Sequence, residues 1–296
     1  MTGDWRLKIG DWRLKTGDYS LFCGMDRLQL FEKISSKGSY LCVGLDTDIR
    51  KIPDHLRSAE DPLFEFNKQI IDATHEYCVA YKPNIAFYES MGSAGWKSLE
   101  RTLDYIPKDI FTIADAKRGD IGNTSSLYAR AYFEQMAFDA ITVTPYMGSD
   151  SVKPFLQFDG KWVILLACTS NPGSKDFQLI ESKTTGRYVF EEVIVQSKEW
   201  AGHNKLMYVA GATEPERIGR VRALAPEHFL LVPGVGAQGG DLEMVSKYGM
   251  NPQCGLLVNA TRSVIYASNG RDFAKAASDE ARKLKNEMTG YLEKYL

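Results

Sequence analysis

The sequence predicts a single (β/α)8 barrel, an α/β fold, from three observations. Eight short runs rich in Val, Ile and Leu recur along the chain, stretches long enough for a helix separate them, and no linker divides residues 25–296. Strands that alternate with helices form a parallel sheet, and eight such units in about 270 residues fit a closed barrel. An open, doubly wound sheet is the alternative. The predicted strands are Tyr40–Leu45, Cys78–Lys82, Phe111–Lys117, Ala140–Thr144, Trp162–Cys168, Leu206–Ala210, Phe229–Val232 and Gly255–Asn259.

Several of the intervening stretches carry helix start signals. A proline follows Asp61 and takes a first helical position, where its missing N–H costs nothing. Acidic residues follow Thr213, and acids favour the first turn of a helix. Four predicted helices are Asp26–Lys37, Leu63–Tyr77, Glu216–Leu224 and the long amphipathic Asp272–Leu292.

The composition is that of an ordinary globular protein. Of 296 residues, 44% are hydrophobic and 25% are charged, and the formal net charge is −2. This charge gives no electrostatic case for binding nucleic acid or an anionic membrane, and no apolar run approaches the ~20 residues of a membrane span. Four cysteines lie in or beside apolar runs without C-x-x-C spacing, which predicts buried free thiols in a reducing compartment, the cytoplasm. These are Cys42, Cys78, Cys168 and Cys254.

The first 24 residues form a predicted extension outside a barrel domain of residues 25–296. The hexapeptide Gly-Asp-Trp-Arg-Leu-Lys occurs at residues 3–8 and again at 10–15, and a third, partial copy starts at Gly17. Two copies with glycine in each are too few for a coiled coil, and the segment lacks the apolar stretch of a signal peptide. We expect it to be disordered or loosely attached.

The most informative motif is the run Asp-Ala-Lys-Arg-Gly-Asp-Ile-Gly-Asn-Thr at residues 115–124. It follows an apolar stretch that predicts a buried strand, and the side chains of a strand alternate between its faces. Asp115 and Lys117 are therefore expected to point the same way at the strand end, with Asp120 on the loop beyond. Burying such charges is costly and rarely stabilises a fold, which favours a functional role over a solvated surface run.

Other polar residues follow predicted strands, and active sites of barrels lie at these carboxyl ends. Asp46 after strand one could bind ligand hydroxyls or cap the next turn. Lys82 after strand two could be a surface lysine, but the acids of strand three beside it favour a site charge. After strand five, Thr169 and Ser170 precede a connection, residues 171–184, that has the length of a lid.

A glycine-rich segment, residues 234–240, follows predicted strand seven. It contains a formal G-x-G-x-x-G, but a dinucleotide-binding motif would be expected on the first strand, with an acid about 20 residues later. In barrels the loops after strands seven and eight commonly bind phosphate through backbone N–H groups and a helix N-terminus. We therefore predict a phosphate loop, with Arg262 after strand eight as a clamp. A plain turn with a surface arginine is the alternative.

No metal site is predicted, because no histidine or carboxylate cluster has metal-ligand spacing. The histidines fall away from the predicted strand ends and are given no catalytic role; they are His55, His75, His203 and His228.

The order of these motifs resembles the orotidine 5′-monophosphate decarboxylase family. The match runs through Val-Gly-Leu-Asp at 43–46, Lys-Pro-Asn at 82–84, the D-x-K-x-x-D-I-G-N-T pattern at 115–124 and Pro-Gly-Val-Gly at 233–236. It covers most of residues 26–296, and the central motif is similar to that of the second bacterial-type subgroup (type 2). The resemblance implies that orotidine 5′-monophosphate (OMP) loses CO2 to give UMP, the last step of de novo pyrimidine synthesis, with neither metal nor organic cofactor.

The resemblance also implies a role for each residue of the charged run. Lys117 would stabilise and protonate the carbanion that develops at C6. Asp115 would crowd the substrate carboxylate and hold Lys117, and Lys82 would complete an alternating charge array and touch the ribose. Asp120 and Thr124 would reach across the interface of a homodimer into the site of the partner.

The remaining implied roles concern substrate binding. Asp46 would bind ribose hydroxyls, and either Thr169 or Ser170 would read the pyrimidine edge. The phosphate would be held by the glycine-rich loop and the residue after strand eight, with Gly234, Gly236, Gln238 and Arg262 as the contacts.

Two other functions fit parts of the pattern. Sugar-phosphate lyases and isomerases of the same superfamily, such as 3-keto-L-gulonate 6-phosphate decarboxylase and hexulose phosphate synthase, share D-x-K-x-x-D. They need Mg²⁺ and have a carboxylate at the end of strand two, where this chain has Lys82, a cation that would repel the metal. A catalytically inactive nucleotide-binding barrel would keep the phosphate loop but lose the charge array, which this sequence retains.

Deletion of residues 1–24 should leave catalysis intact, because the segment has no strand or helix signal that the barrel requires and its composition cannot bury a core. The measurement is turnover of OMP by the truncated and the full-length chain. A loss beyond about tenfold, roughly 1.4 kcal/mol of activation free energy, would mean that the segment packs on the site.

Overall fold

The fold is a closed barrel of eight parallel strands, which confirms the predicted (β/α)8 class. In this computed structural model, which describes residues 24–235 and 239–296, each strand pairs with its sequence neighbours and the first pairs with the last. All eight strands coincide with the predicted strands to within one or two residues at either end. The strands of the described residues are β1 Leu41–Gly44, β2 Ala80–Lys82, β3 Phe111–Arg118, β4 Ala140–Val143, β5 Trp162–Cys168, β6 Leu206–Ala210, β7 Leu230–Pro233 and β8 Leu256–Ala260.

Helices follow the strands, and two of them begin where the sequence predicts. The Asp26 side chain accepts a hydrogen bond from the Gln29 N–H (2.8 Å), and the Gln29 side chain accepts one from the Asp26 N–H (2.8 Å). Asp61 caps the second helix directly before Pro62. Helices of the described chain are α1 Arg27–Lys37, α2 Pro62–Thr74, α3 Ile85–Glu89, α4 Gly92–Tyr105, α5 Gly122–Arg130, α6 Ser149–Leu156, α7 Val189–Ser197, α8 Pro215–Leu224, α9 Leu242–Gly249, α10 Arg262–Ile265 and α11 Phe273–Tyr295. Short 3₁₀ turns span Asp54–Leu56 and Pro172–Asp176, and a π-helical turn, Ala131–Gln135, continues α5.

The core consists of strand side chains covered by apolar helix faces. Every residue of β1, β2, β4, β6 and β8 is buried. Large side chains such as Trp162, Phe111 and Tyr208 are almost inaccessible to solvent. Burial of one such side chain contributes on the order of 1.5–3 kcal/mol, so the packed core holds the strand ends in fixed relative positions.

The carboxyl end of β3 is irregular. Ala114 pairs with Ile141 and Arg118 pairs with Val143, so this interval of β3 is two residues longer than the facing interval of β4. Lys117, inside the interval, has a φ of 47°, in the left-handed region that non-glycine residues rarely adopt. Simple strand alternation therefore does not explain the direction of its side chain, which a β-bulge sets instead.

The predicted N-terminal extension lies almost wholly outside the described residues, which begin at Gly24. The next residue is tied to the barrel, since Trp162 Nε1 donates to the Met25 carbonyl (2.8 Å). Among the described residues, no helix is long and apolar enough to cross a membrane. The four cysteines predicted to be buried free thiols are buried and form no disulfide within the described part of the chain; they are Cys42, Cys78, Cys168 and Cys254.

Candidate active site

A cavity of about 910 Å³ opens at the carboxyl ends of the barrel strands. This is the end where enzymes with this fold carry their active sites. None of the histidines lines the cavity. The predicted site residues that line it are Asp46, Lys82, Asp115, Lys117, Thr169, Ser170, Gly234 and Arg262.

Asp115 lies between two lysines in this cavity. Lys82 Nζ donates to Oδ2 of Asp115 (2.8 Å), and Lys117 Nζ donates to Oδ1 (2.5 Å). On the other side, Lys82 Nζ is 3.9 Å from Oδ1 of Asp46. Acid and base therefore alternate along the row Asp46, Lys82, Asp115 and Lys117, which we call the charge row.

The two lysines of the charge row differ in accessibility. The side chain of Lys82 is 4% exposed, whereas that of Lys117 is 51% exposed. Lys82 ends the buried strand β2, and Lys117 extends from the bulge of β3 into the cavity. A ligand in the open cavity therefore meets the ammonium of Lys117 more readily than that of Lys82, which also lines the cavity but is almost completely covered.

Mutual attraction keeps the inner part of the charge row ionised. Burial alone would raise the pKa of Asp115, but the ammonium groups of Lys82 and Lys117 outweigh it and hold that pKa well below its usual range. Burial alone would lower the pKa of Lys82, but the carboxylates of Asp115 and Asp46 raise it above its usual value. Both groups are thus charged at neutral pH.

Asp46 is the incompletely satisfied acid of the row. Its Oδ1 is buried and has no hydrogen-bond partner among the described residues, and burial raises the pKa of this carboxyl although Lys82 opposes the shift. The turn after β1 is capped by Asp48 instead of Asp46, since the Asp48 carboxylate accepts from the Arg50 N–H (3.0 Å). The Asp46 side chain as a whole is 24% exposed and lines the cavity, so the accessible part of the carboxylate can accept a hydrogen bond from a ligand hydroxyl.

The two hydroxyl residues after β5 are in different surroundings. The Thr169 hydroxyl donates to Oδ1 of Asn171 (2.6 Å) and accepts from Nε2 of Gln178 (2.9 Å). Ser170 also lines the cavity. A Cβ on Gly211 would lie 2.6 Å from Cβ of Ser170, so only glycine at that position leaves room for the serine.

The glycine-rich loop after β7 folds back on itself. Gly234 has a φ of 104°, a conformation suited to glycine alone, and its carbonyl accepts from the Gly240 N–H (3.0 Å). Gly234 lines the cavity, as predicted. Gly236 and Gln238 lie outside the described residues.

Arg262 and the neighbouring helix end define the rest of the predicted phosphate site. The Asp241 carboxylate accepts from the N–H groups of Glu243 (2.8 Å) and Met244 (3.2 Å), so it occupies the amino end of α9. That helix end is therefore not open to an anion, although the helix N-terminus after such a loop was expected to help bind phosphate. Arg262, at the start of α10, is exposed and lines the cavity.

Asp120 and Thr124 do not line the cavity of their own chain. Oδ1 of Asp120 accepts from the Ile121 N–H (2.8 Å), just before α5. Thr124 is exposed in the first turn of α5. This placement is compatible with a role toward a second chain.

Several lining residues escaped the sequence reasoning. Asn84 ends the Lys-Pro-Asn motif and Asn259 ends predicted strand eight, so the rule that sites lie at strand ends could have included both. Thr142 lies within β4 and Gln178 in the connection after β5, where no local pattern marks them. Their participation depends on tertiary contacts alone.

Comparison with known proteins gives the family. The family model for "Orotidine 5′-phosphate decarboxylase / HUMPS family" matches residues 39–277. The chain belongs to this family and is an enzyme of the carboxy-lyase class.

Similar proteins include curated bacterial enzymes and solved structures. The orotidine 5′-phosphate decarboxylase of Phocaeicola vulgatus is 59% identical over 267 residues, which cover 89% of this chain and 98% of that protein. The protein of the same name from Bacteroides fragilis is 56% identical over 275 residues, covering 92% and 100%. The solved OMP decarboxylase of Leishmania donovani is 36% identical with a TM-score of 0.74, covering 88% and 99%. The UMP synthase of Leishmania donovani is 38% identical with a TM-score of 0.76, and the match covers 88% of this chain and 57% of that longer one.

Replacement of Arg262 by alanine should weaken binding of UMP much more than binding of uridine. The guanidinium lines the cavity beside the glycine-rich loop, and a charge-assisted contact to phosphate contributes on the order of 1.5–3 kcal/mol. Calorimetric titration of both ligands into the wild type and the variant measures the difference. Equal losses for nucleotide and nucleoside would place Arg262 away from the phosphate.

Proposed function

We propose that the chain decarboxylates OMP to UMP and CO2, and that Lys117 stabilises and then protonates the C6 carbanion without a metal or organic cofactor. The observation that carries the proposal is the charge row at the mouth of the barrel, in which one carboxylate accepts hydrogen bonds from two ammonium groups. The names of the relatives at 56–59% identity support the substrate.

The chemistry explains why a fixed ammonium is needed. Loss of CO2 leaves an electron pair on C6 with no adjacent group to delocalise it. A cation held in advance at that carbon stabilises the charge without reorganisation. Lysine suits the task because it is both a charge and a proton donor. One proton passes from Nζ of Lys117 to C6, so that OMP and a proton yield UMP and CO2.

Asp115 has two parts in this scheme. It holds the Lys117 ammonium at 2.5 Å, and it places its own negative charge where the substrate carboxylate must lie. Repulsion between the two carboxylates is relieved when CO2 leaves, while the attraction to Lys117 remains, so the enzyme favours the transition state over the ground state. Lys82 keeps Asp115 ionised and oriented from behind.

The rest of the substrate is bound around the reacting ring. We assign the ribose hydroxyls to Asp46, whose partly exposed carboxylate lines the cavity. We assign the pyrimidine edge to Ser170, because the Thr169 hydroxyl already bonds to Asn171 and Gln178. Arg262 and the glycine-rich loop hold the phosphate. Phosphate binding then supplies free energy for closing the connection of residues 171–184 over the ring.

The charge row argues against the Mg²⁺-dependent sugar-phosphate lyases. Within residues 24–235 and 239–296, no group of three or more His, Cys, Asp or Glu side chains could hold a metal ion. Lys82 lies between the carboxylates of Asp46 and Asp115, and an ammonium there repels Mg²⁺. The four buried free thiols agree with a reducing compartment, and we propose the cytoplasm as the location.

The purified enzyme should convert OMP to UMP at an undiminished rate in the presence of EDTA, and Lys117→Ala should lose at least about a hundredfold in kcat. The change in ultraviolet absorbance on decarboxylation follows the reaction. Lys247→Ala removes an exposed lysine of α9 that does not line the cavity, and is the matched control. Loss of activity in EDTA that Mg²⁺ restores would contradict the cofactor-free mechanism, and no turnover of OMP would contradict the function.

We further propose a homodimer whose sites are shared. Residues 121–128 and the connection after β4 carry exposed apolar side chains, of which Tyr146 is 88% exposed. The Thr144 N–H donates to the Arg118 carbonyl (2.8 Å), which ties the connection after β4 to the end of β3, shortly before residue 121. A second copy covering this surface would remove apolar area from water and would bring Asp120 and Thr124 toward the cavity of the partner. The exposed side chains are Ile121, Leu127, Tyr128, Tyr146 and Met147.

Mixed dimers of two inactive variants should recover activity. Lys117→Ala and Asp120→Ala should each be nearly inactive alone, but a heterodimer has one site with both Lys117 and the Asp120 of the other chain intact. Co-refolding at equal amounts should give about a quarter of wild-type activity, since half of the dimers are mixed and one site in each is whole. Sedimentation checks that dimers have formed. Absence of recovery in confirmed dimers would contradict the shared site and leave the decarboxylase function standing.

A further inference from the structure

We propose that Thr142 is a positioning residue for the catalytic pair Asp115 and Lys117. One hydroxyl, on β4 opposite the bulge of β3, holds the backbone of the lysine and the carboxylate of the aspartate together. The inference rests on the proposed function, because it gives Thr142 a part in the same reaction.

The hydroxyl of Thr142 bonds to both members of the pair. Its Oγ1 accepts from the Lys117 N–H (2.9 Å) and lies 3.2 Å from Oδ1 of Asp115 and 3.5 Å from the Ala114 carbonyl. A hydroxyl has a single proton to donate. The carboxylate is the nearer acceptor and, being charged, the stronger one, so the proton is assigned to Asp115. Thr142 is only 1% exposed, and bulk water does not replace these bonds.

The bulge explains why a side chain is needed at this point. Register between β3 and β4 shifts between Ala114 and Arg118, so the Lys117 N–H is not bonded in the regular ladder and finds the Thr142 hydroxyl instead. Lys117 also has the left-handed φ of 47°, which costs free energy for a residue with a Cβ and persists only where its surroundings enforce it. The hydrogen bond from Thr142 is part of that enforcement.

The position of the Lys117 ammonium thus depends twice on Thr142. The backbone of Lys117 is held by the hydroxyl directly, and its Nζ is held by Oδ1 of Asp115, the same oxygen that the hydroxyl approaches. Loss of the hydroxyl frees both ends of the lysine. Small displacements of a reacting group reduce the rate of chemistry steeply, while contacts to ribose and phosphate lie elsewhere in the cavity.

The test compares Thr142→Val, which keeps the shape and removes the hydroxyl, with Thr142→Ser, which keeps the hydroxyl. We expect Thr142→Val to lose on the order of ten- to a hundredfold in kcat, with the KM for OMP and the Kd for UMP changed by less than about threefold. Thr142→Ser should stay within about threefold of the wild type. A residue that only stabilised the fold would not produce this split between kcat and binding.

Thr144→Val is the local control. The Thr144 hydroxyl donates to the Arg118 carbonyl (3.3 Å) at the same irregular end of β3, but it bonds to neither Asp115 nor Lys117 and does not line the cavity. Its kcat should remain within about threefold of the wild type. Thermal unfolding of all variants gives the folded fraction, and kcat is expressed per folded enzyme. If Thr142→Val does not fold, Thr142→Ala compared with Thr142→Ser isolates the hydroxyl.

Each outcome decides the proposal. A low kcat in Thr142→Val with rescue by serine supports it. The proposal is overturned if Thr142→Val keeps its kcat, or if Thr142→Ser loses as much kcat as Thr142→Val. It is also overturned if Thr144→Val loses as much, because a general disruption of the bulge would then explain the loss. Failure of the wild type to decarboxylate OMP would instead overturn the proposed function. Wild-type turnover with an inactive Lys117→Ala and an unaffected Thr142→Val would overturn this inference alone.

Discussion

One carboxylate shared by two ammonium groups is the interaction on which the site depends. Asp115 could not remain ionised in its buried position without Lys82 and Lys117, and neither lysine has another carboxylate as close among the described residues. The strands hold the three groups in register, since the Asp115 N–H donates to the Pro83 carbonyl (3.1 Å) directly after β2. The barrel therefore supports an arrangement of charges that a flexible chain could not keep assembled.

The two lysines of the charge row have different roles: Lys82 stabilises the ionised Asp115, and Lys117 is accessible to a ligand. Lys82 is buried at a regular strand end and lowers the pKa of Asp115 from behind. Lys117 is half exposed on a strained backbone, where its ammonium is free to meet a ligand. Strain and partial exposure are unfavourable for folding, and they are concentrated at the residue that we propose as the proton donor. Preorganisation here is a property of the whole row, in which each charge fixes its neighbour.

The sequence predicted the barrel and the charge row of the cavity because both depend on local signals. Apolar runs mark the strands, and a charged residue directly after such a run falls at the carboxyl edge. The closeness of Asp115 and Lys117 was expected from strand alternation, but the β-bulge of β3 is its actual cause, and no sequence pattern marks the bulge. The different surroundings of Thr169 and Ser170 were likewise beyond prediction, because Gln178 and Gly211 come from other elements. Thr142 was missed for the same reason.

The seam between β1 and β8 has a consequence for how the protein folds. Leu41 pairs with Val258, so the ring closes only when segments from nearly opposite ends of the domain meet. Contacts between such distant segments form slowly, since much chain entropy is lost before they are made. Asp46 and Arg262 lie just beyond the two strands of this seam. During synthesis the charged residues of β2 and β3 emerge long before β8 can complete the cavity, and an unfinished barrel would expose them together with open strand edges. Catalytic activity is therefore a late event in folding, and its appearance reports that the ring has closed.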